Sequence, residues 1–143
     1  MPRAPRYLLI AALAWLAGCA SAPQQEPTLW TRLGGQPVVV SVIEETIDRS
    51  ASDPRTKRSF DGVKISRVKE KLVEQVCSLS GGPCKYTGDP MQASHKGLKI
   101  TMAEFDLLVQ FLRDALDRAK VGESEKNELL RLLAPMKRDI VFG

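Results

Sequence analysis

The chain has 143 residues, 43% of them hydrophobic, and a formal net charge of +4, which suits one small domain with a single core. It contains one histidine, His95, and this excludes metal sites with two histidines and Cys/His zinc sites of ordinary spacing. Two of the positive charges belong to Arg3 and Arg6, without which the net charge is 4 − 2 = +2. Basic and acidic residues alternate elsewhere, so the charge pattern predicts no nucleic-acid partner.

Residues 1–18 are predicted to be a signal peptide. A positive start precedes an apolar run over residues 7–16, which is too short to span a membrane as a mature helix. The run ends in Leu16-Ala17-Gly18-Cys19, which resembles the lipobox of bacterial lipoproteins. That resemblance implies lipid acylation of Cys19, and Ala20 after it favours the outer membrane. The alternative is an ordinary signal peptide cut near Ala20 or Ala22, with loss of Cys19.

Residues 19–28 follow as an acylated cysteine and a flexible tether rich in proline and glutamine. The lipid on Cys19 would attach the protein to a membrane and leave it facing the periplasm. Residues 29–143 are predicted to form one domain, since they contain no internal repeat and no change in composition that would indicate a second domain.

The first half of this domain reads as helix. A short turn of helix over residues 29–33 is stopped by Gly34-Gly35, and Pro37 suits the start of a helix that runs to about Ser50. β-Branched residues are dense in this second helix, so a strand is the competing interpretation. Asp53-Pro54 predicts a further short helix that ends near Phe60.

The second half also lacks a convincing strand. Ser66 is predicted to cap a helix that ends before Gly81-Gly82-Pro83, and a long glycine-containing stretch follows to Lys99. Thr101-Met102-Ala103-Glu104 is a capping box that opens another helix, and Ser124 is predicted to cap the last one. The predicted class is all-α.

Several short motifs, each weak alone, occur in one order and spacing along residues 29–141. They are Leu33-Gly34-Gly35, Asp53-Pro54, Phe60, Gly81-Gly82-Pro83, Tyr86-Thr87-Gly88 with Met91, His95 with Leu98, Ile100-Thr101 with Phe105, and Asp139-Ile140-Val141. Together they resemble the group 1 truncated haemoglobins. The resemblance implies an all-α truncated globin fold, a two-over-two helical sandwich, with haem b as the iron-containing cofactor.

The resemblance makes His95 the proximal ligand of the haem iron, with Nε2 on the metal and the other ring nitrogen donating to a nearby carbonyl. Without it, a lone histidine in a loop is usually a surface residue. The resemblance also predicts that Phe60 stacks on the haem, that Lys71 and Arg67 lie near its propionates and that Tyr86 contacts its edge. The predicted apolar wall comprises Met91, Leu98, Ile100, Phe105 and Leu108.

The predicted distal pocket comprises Thr46, Ile47, Val68 and Leu72, and here the chain departs from the family pattern. Ile47 stands where group 1 members commonly have a tyrosine that hydrogen-bonds bound oxygen. Loss of such a donor costs about 1–3 kcal/mol, or roughly one to two decades in affinity. Thr46 or Gln75 is a possible substitute donor. An apolar pocket suits carbon monoxide or nitric oxide, which depend less on a donor.

Cys77 and Cys84 are predicted to form a disulfide, because an exported protein meets an oxidising compartment. Two free, partly buried thiols are the alternative. The chain has no Cys-x-x-Cys-His motif, so covalent c-type attachment of haem is not expected.

Three functional hypotheses follow. The favoured one is a globin that reversibly binds a diatomic gas (oxygen, nitric oxide or carbon monoxide) at the envelope side of a membrane. The second is a haem enzyme, either a nitric oxide dioxygenase or a peroxidase-like protein, which would need an electron donor outside the cytoplasm. The third is a haem-free helical lipoprotein that binds a partner.

Overall fold

The computed structural model describes Met1 and residues 25–142. The predictions of a signal peptide and of lipid on Cys19 therefore concern residues that lie outside the described part. Within residues 25–142, none of the helices is both long and apolar enough to cross a membrane.

Helices account for most of the described domain. They are α1 (Leu29–Arg32), α2 (Gly35–Ser52), α3 (Ile65–Leu79), α4 (Met91–His95), α5 (Met102–Arg118), α6 (Glu123–Leu133) and α7 (Lys137–Ile140), with 3-10 helices at Lys57–Phe60 and Ala134–Met136. The one β-type contact of residues 25–142 is an isolated parallel bridge between Ile100 and Val141. The predicted all-α class is confirmed.

Helix α2 lies at the centre, because it packs against α1, α3, α5 and the first 3-10 helix. The core consists of apolar side chains that are at most 5% exposed: Leu29, Leu33, Val39, Val42, Ile43, Ile47, Val76, Leu112, Ala115, Leu116 and Leu129. These come from α2, α3, α5, α6 and the α1 region, so a single core joins all four long helices. Burial of this apolar surface is the main force that assembles them.

The β-branched residues of α2 do not prevent a helix, and the competing strand interpretation is wrong. Gly34 starts the helix with φ +100°, where a Cβ would lie 2.5 Å from Val38 Cγ2, so no larger residue fits without movement. Inside the helix, the hydroxyls of Thr46 and Ser50 each donate to the carbonyl four residues earlier, at 2.7 and 2.8 Å. Their polar atoms are therefore satisfied within a buried face.

Some predicted helix starts are wrong. The capping box is confirmed, since Thr101 and Glu104 exchange both hydrogen bonds. Ser66 and Ser124, however, are not caps: α3 begins at Ile65 after Lys64, and α6 begins at Glu123 after Gly122, so both serines lie inside the first turn.

The segment after α2 also differs from its prediction. Regular structure begins only at Lys57, as a 3-10 helix, and not at Asp53-Pro54. The Asp53 carboxylate instead accepts hydrogen bonds from the backbone N–H and the guanidinium of Arg55, at 2.8 to 2.9 Å. This local turn satisfies the side chain that was predicted to cap a helix.

The structure joins Cys77 and Cys84 by a disulfide, with the two Cα atoms 5.7 Å apart. Cys77 is completely buried at the end of α3, and Cys84 belongs to the loop that leads towards Tyr86. Gly82 passes close to the bridge, since a Cβ there would be 2.6 Å from Cys77 Sγ. The bridge therefore fixes the start of the loop on the last turn of α3.

We expect Cys84→Ser to lower the free energy of unfolding by about 2–3 kcal/mol, because a crosslink over this short loop removes conformational entropy from the unfolded chain. Urea unfolding of the haem-free protein measures the change. A reductant should lower the parent's midpoint by a similar amount and leave the variant's midpoint unaltered. Two free thiols on alkylation of the unreduced parent, beyond any at Cys19, would contradict this.

Candidate functional site

His95 is the last residue of the five-residue helix α4 and is half-buried. Its Nδ1 lies 2.8 Å from the carbonyl oxygen of Met91 and 3.1 Å from Ser94 Oγ. A carbonyl oxygen can only accept a hydrogen bond, so Nδ1 carries the proton and donates to Met91. The lone pair then resides on Nε2, the arrangement that a histidine adopts as a metal ligand.

Local sequence explains why α4 is short. Pro90 precedes the helix and lacks the N–H that a continuing helix would need, and Ser94 Oγ donates to its carbonyl at 3.1 Å. Gly97, with φ +85°, ends the regular structure two residues after His95. Helix α4 packs against α7, so the C-terminal end of the chain supports it.

Apolar side chains predicted to contact haem are half-buried, unlike the core. Phe60, Val68 and Leu72 pack on the edge of the core cluster. The others lie on α4, on the segment after it and on α5: Met91, Leu98, Ile100, Phe105 and Leu108. Because these side chains keep part of their apolar surface accessible, they suit a large flat apolar group. The chemistry of these side chains and of His95, whose Nε2 carries the lone pair, fits haem.

Helices α3 and α4 are in contact at Met91. Gln75, a buried residue of α3, has its amide Nε2 3.7 Å from Met91 Sδ. The amide of Gln75 therefore lies beside the segment that carries His95, where it is poorly placed to act as a substitute distal donor.

The predicted distal residues offer little polarity. Thr46 and Ile47 are 2% and 1% exposed, and Val68 and Leu72 are half-buried. The single polar side-chain atom of the four is Thr46 Oγ1, which donates to the carbonyl of Val42 at 2.7 Å. The hydroxyl proton is already donated in a hydrogen bond within α2, so Thr46 does not supply a free donor.

Lys71 is held by three partners instead of extending freely towards a propionate. Its Nζ lies 2.8 Å from Glu74 Oε1, 3.0 Å from Glu70 Oε1 and 2.7 Å from Thr87 Oγ1. A propionate could bind Lys71 only if one of these partners gave way. Arg67, the other predicted propionate contact, is exposed one turn earlier on α3.

Glu74 fastens the loop before α4 to α3. Its Oε2 accepts the backbone N–H and the hydroxyl of Thr87, at 3.0 and 2.8 Å. Hydrogen bonds from Lys71 and then Thr87 lower the pKa of Glu74 to about 2. Glu74 is therefore ionised over the physiological pH range and keeps its hold on Thr87.

Tyr86 anchors its own turn. Its hydroxyl donates to the carbonyl of Asp89 at 2.7 Å, and burial raises the pKa of the phenol. Anchoring of the turn, which is the alternative to contact with the haem edge, is thus visible directly in the hydrogen bonding.

Arg58 bears on the site although its sequence position gives no sign of this. The guanidinium of Arg58, in the 3-10 helix before Phe60, bonds to Glu104 Oε2 at 2.5 Å and to the carbonyl of Lys99 at 3.0 Å. The capping box identified Glu104, but no sequence signal paired it with a residue 46 positions earlier.

The helices and the half-buried apolar set define a globin-type fold, and comparisons with known proteins agree. The chain matches the Bacterial-like globin family over residues 28–142. It is 35% identical over 116 residues to the group 1 truncated hemoglobin GlbN of Mycolicibacterium paratuberculosis, a match that covers 81% of this chain and 85% of the relative. It is 29% identical to GlbN of Nostoc sp., over 80% and 97% of the two chains.

Solved structures show the same fold. The truncated hemoglobin of Tetrahymena pyriformis in its Fe(III) form superposes with a TM-score of 0.76 at 22% identity, over 82% of this chain and all of that one. The 2/2 hemoglobin of Synechococcus sp., with covalently attached heme, gives a TM-score of 0.74 at 21% identity, over 80% and 98% of the chains.

The chain therefore belongs to the bacterial-like globin family and, within it, to the group 1 truncated haemoglobins. The predicted fold, a two-over-two globin, is confirmed. Haem, the predicted cofactor, is the cofactor of this family, and gas binding is its general function.

Proposed function

We propose that this protein holds haem b through His95 and reversibly binds a diatomic gas. The observation that carries the proposal is the 2.8 Å hydrogen bond from His95 Nδ1 to the Met91 carbonyl, which leaves Nε2 as the lone-pair nitrogen. Family membership supports the cofactor, and the half-buried apolar side chains around α4 support its location.

Each residue of the proposed site would have a separate role in holding haem. The Met91 carbonyl orients the imidazole and increases its basicity, as outer-shell hydrogen bonds do for metal-binding histidines. Phe60, Leu98 and Phe105 would pack on the ring system and exclude water. When bound, haem iron supplies the coordination position at which a gas molecule binds. Arg67, and Lys71 once one of its partners gives way, would be the cations that bind its propionates.

We expect His95→Ala to abolish stable haem binding, because no second histidine can replace the lost ligand. The absorption spectrum with one equivalent of added haem should show an intense Soret band for the parent and only weakly associated haem for the variant. Lys96→Ala, a change at the exposed neighbouring residue, serves as the control and should resemble the parent. An alanine variant with the parent's spectrum would refute His95 ligation.

We further propose that the gas is one that needs no hydrogen bond from the protein, such as carbon monoxide or nitric oxide. Among Thr46, Ile47, Val68 and Leu72, the only side-chain donor is engaged with the carbonyl of Val42. Bound oxygen is polar and gains about 1–3 kcal/mol from a donor, whereas carbon monoxide gains little. The residues proposed for the distal side therefore disfavour tight oxygen storage.

Replacing Ile47 by tyrosine tests this ligand preference. We expect Ile47→Tyr to slow oxygen dissociation from the ferrous protein by roughly one to two decades and to change carbon monoxide binding much less. Ile47→Phe is the matched control, since it adds the same ring without a hydroxyl. Equal oxygen dissociation rates for the two variants, measured by stopped-flow, would argue against a donor-free pocket at this position.

We also propose that the protein is exported and anchored by lipid on Cys19. The Leu-Ala-Gly-Cys sequence at residues 16–19 supports this, and the Cys77–Cys84 disulfide suits an oxidising compartment. In bacterial cells given a palmitate analogue, we expect label on the parent and on Cys84→Ser, but none on Cys19→Ser. An unlabelled parent, or a labelled Cys19→Ser variant, would exclude the anchor.

A further inference from the structure

Glu104 is a charged residue with only 7% of its surface exposed, at the start of α5. Its Oε2 accepts the backbone N–H and the hydroxyl of Thr101, both at 2.8 Å, and a guanidinium N–H of Arg58 at 2.5 Å. Its Oε1 accepts the hydroxyl of Ser59 at 3.2 Å. Burial alone would raise the pKa of Glu104, but the hydrogen bonds from Thr101 and Arg58 outweigh it and hold the pKa below its usual value.

Arg58 extends this network to the segment that follows His95. The same Nη2 that bonds Glu104 donates to the carbonyl of Lys99 at 3.0 Å, and Nη1 donates to the carbonyl of Leu98 at 3.3 Å. A guanidinium can make these contacts together because its donors form a rigid planar fork. One side chain therefore links a buried carboxylate with two consecutive carbonyls.

The backbone of residues 96–101 includes two positive φ angles. Gly97 has φ +85° and Lys99 has φ +49°, and a residue with a Cβ disfavours this left-handed region. The N–H of Leu98 bonds back to the His95 carbonyl, just before the segment, at 3.2 Å. Contacts that stabilise this conformation of Lys99 offset that cost, and Arg58 contacts its carbonyl directly.

Arg58 itself belongs to the Lys57–Phe60 3-10 helix, two residues before Phe60. The segment it holds begins next to His95 and includes Leu98 and Ile100. Arg58 thus connects the backbone that carries Phe60 with the backbone that carries the histidine. These are two parts of the site that lie far apart in the chain.

We propose that Arg58 is a positioning residue for His95: by fixing residues 96–101 on the Lys57–Phe60 helix, it sets the placement of the imidazole relative to Phe60. This inference rests on the proposed ligation of haem by His95. The guanidinium acts through the backbone and not by contact with the cofactor. A lysine at position 58 would keep the charge opposite Glu104 but could not hold both carbonyls in the same way.

The test compares Arg58→Ala and Arg58→Lys with Arg55→Ala, in the full-length protein. Arg55 is the matched control, because its guanidinium bonds to Asp53 within its own turn. Transfer of haem from the ferric protein to excess apomyoglobin should be roughly tenfold faster for Arg58→Ala than for the parent. The iron–histidine stretching band of the ferrous protein should shift or broaden in both Arg58 variants, and the lysine variant should keep the parent's unfolding midpoint.

Amide hydrogen exchange of the haem-free protein separates this inference from the proposed function. We expect faster exchange over residues 96–101 in both Arg58 variants than in Arg55→Ala, whether or not haem binds. A parent that takes up no haem would overturn His95 ligation, and the exchange comparison would still decide whether Arg58 holds the segment. If Arg58→Ala fails to fold, Arg58→Lys decides alone. Exchange, haem transfer and an iron–histidine band equal to those of Arg55→Ala would overturn the inference.

Discussion

The hydrogen bond between His95 Nδ1 and the Met91 carbonyl is the interaction on which the site depends. The carbonyl lies four residues before the histidine, within the same single turn of helix, so α4 needs no greater length to orient its own ring. Helix geometry thereby fixes both the direction of the imidazole and its tautomer. Without this bond the ring could rotate and either nitrogen could carry the proton, and the proposed ligand would lose its defined lone pair.

A single helical turn has almost no stability of its own, so the surrounding contacts must hold it. On the side before α4, the Cys77–Cys84 bridge and the bonds from Thr87 to Glu74 tie the loop to α3. On the side after it, the Phe142 N–H bonds to the Ile100 carbonyl at 2.8 Å, and α7 packs on α4. These contacts from outside the helix hold α4 in place, which explains how a segment with little regular structure can present one histidine.

The sequence predicts local features of this molecule better than distant ones. The sequence predicts the capping box at Thr101 and the disulfide, because each depends on residues close together in the chain. The predicted caps at Ser66 and Ser124 are wrong, since Lys64 and Gly122 adopt the extended backbone of a cap residue and each helix begins earlier. The bonds of Lys71 to Thr87 and of Arg58 to Glu104 have no local sequence pattern, because folding brings these residues together from separate parts of the chain.

The same type of hydrogen bond, from a side chain to the carbonyl four residues earlier, has opposite effects on the proposed distal and proximal sides of the site. On α2, the carbonyl of Val42 accepts the hydroxyl proton of Thr46, four residues later, and so removes the one side-chain donor of the proposed distal set. On α4, the carbonyl of Met91 accepts the Nδ1 proton of His95, also four residues later, and so exposes a lone pair on Nε2. In the first case the bond removes a donor from the proposed pocket, and in the second it leaves a ring nitrogen that is able to bind a metal. The polarity of a globin pocket therefore depends on which side chains donate their protons to backbone carbonyls of their own helix. A threonine at a pocket position does not by itself make that pocket polar.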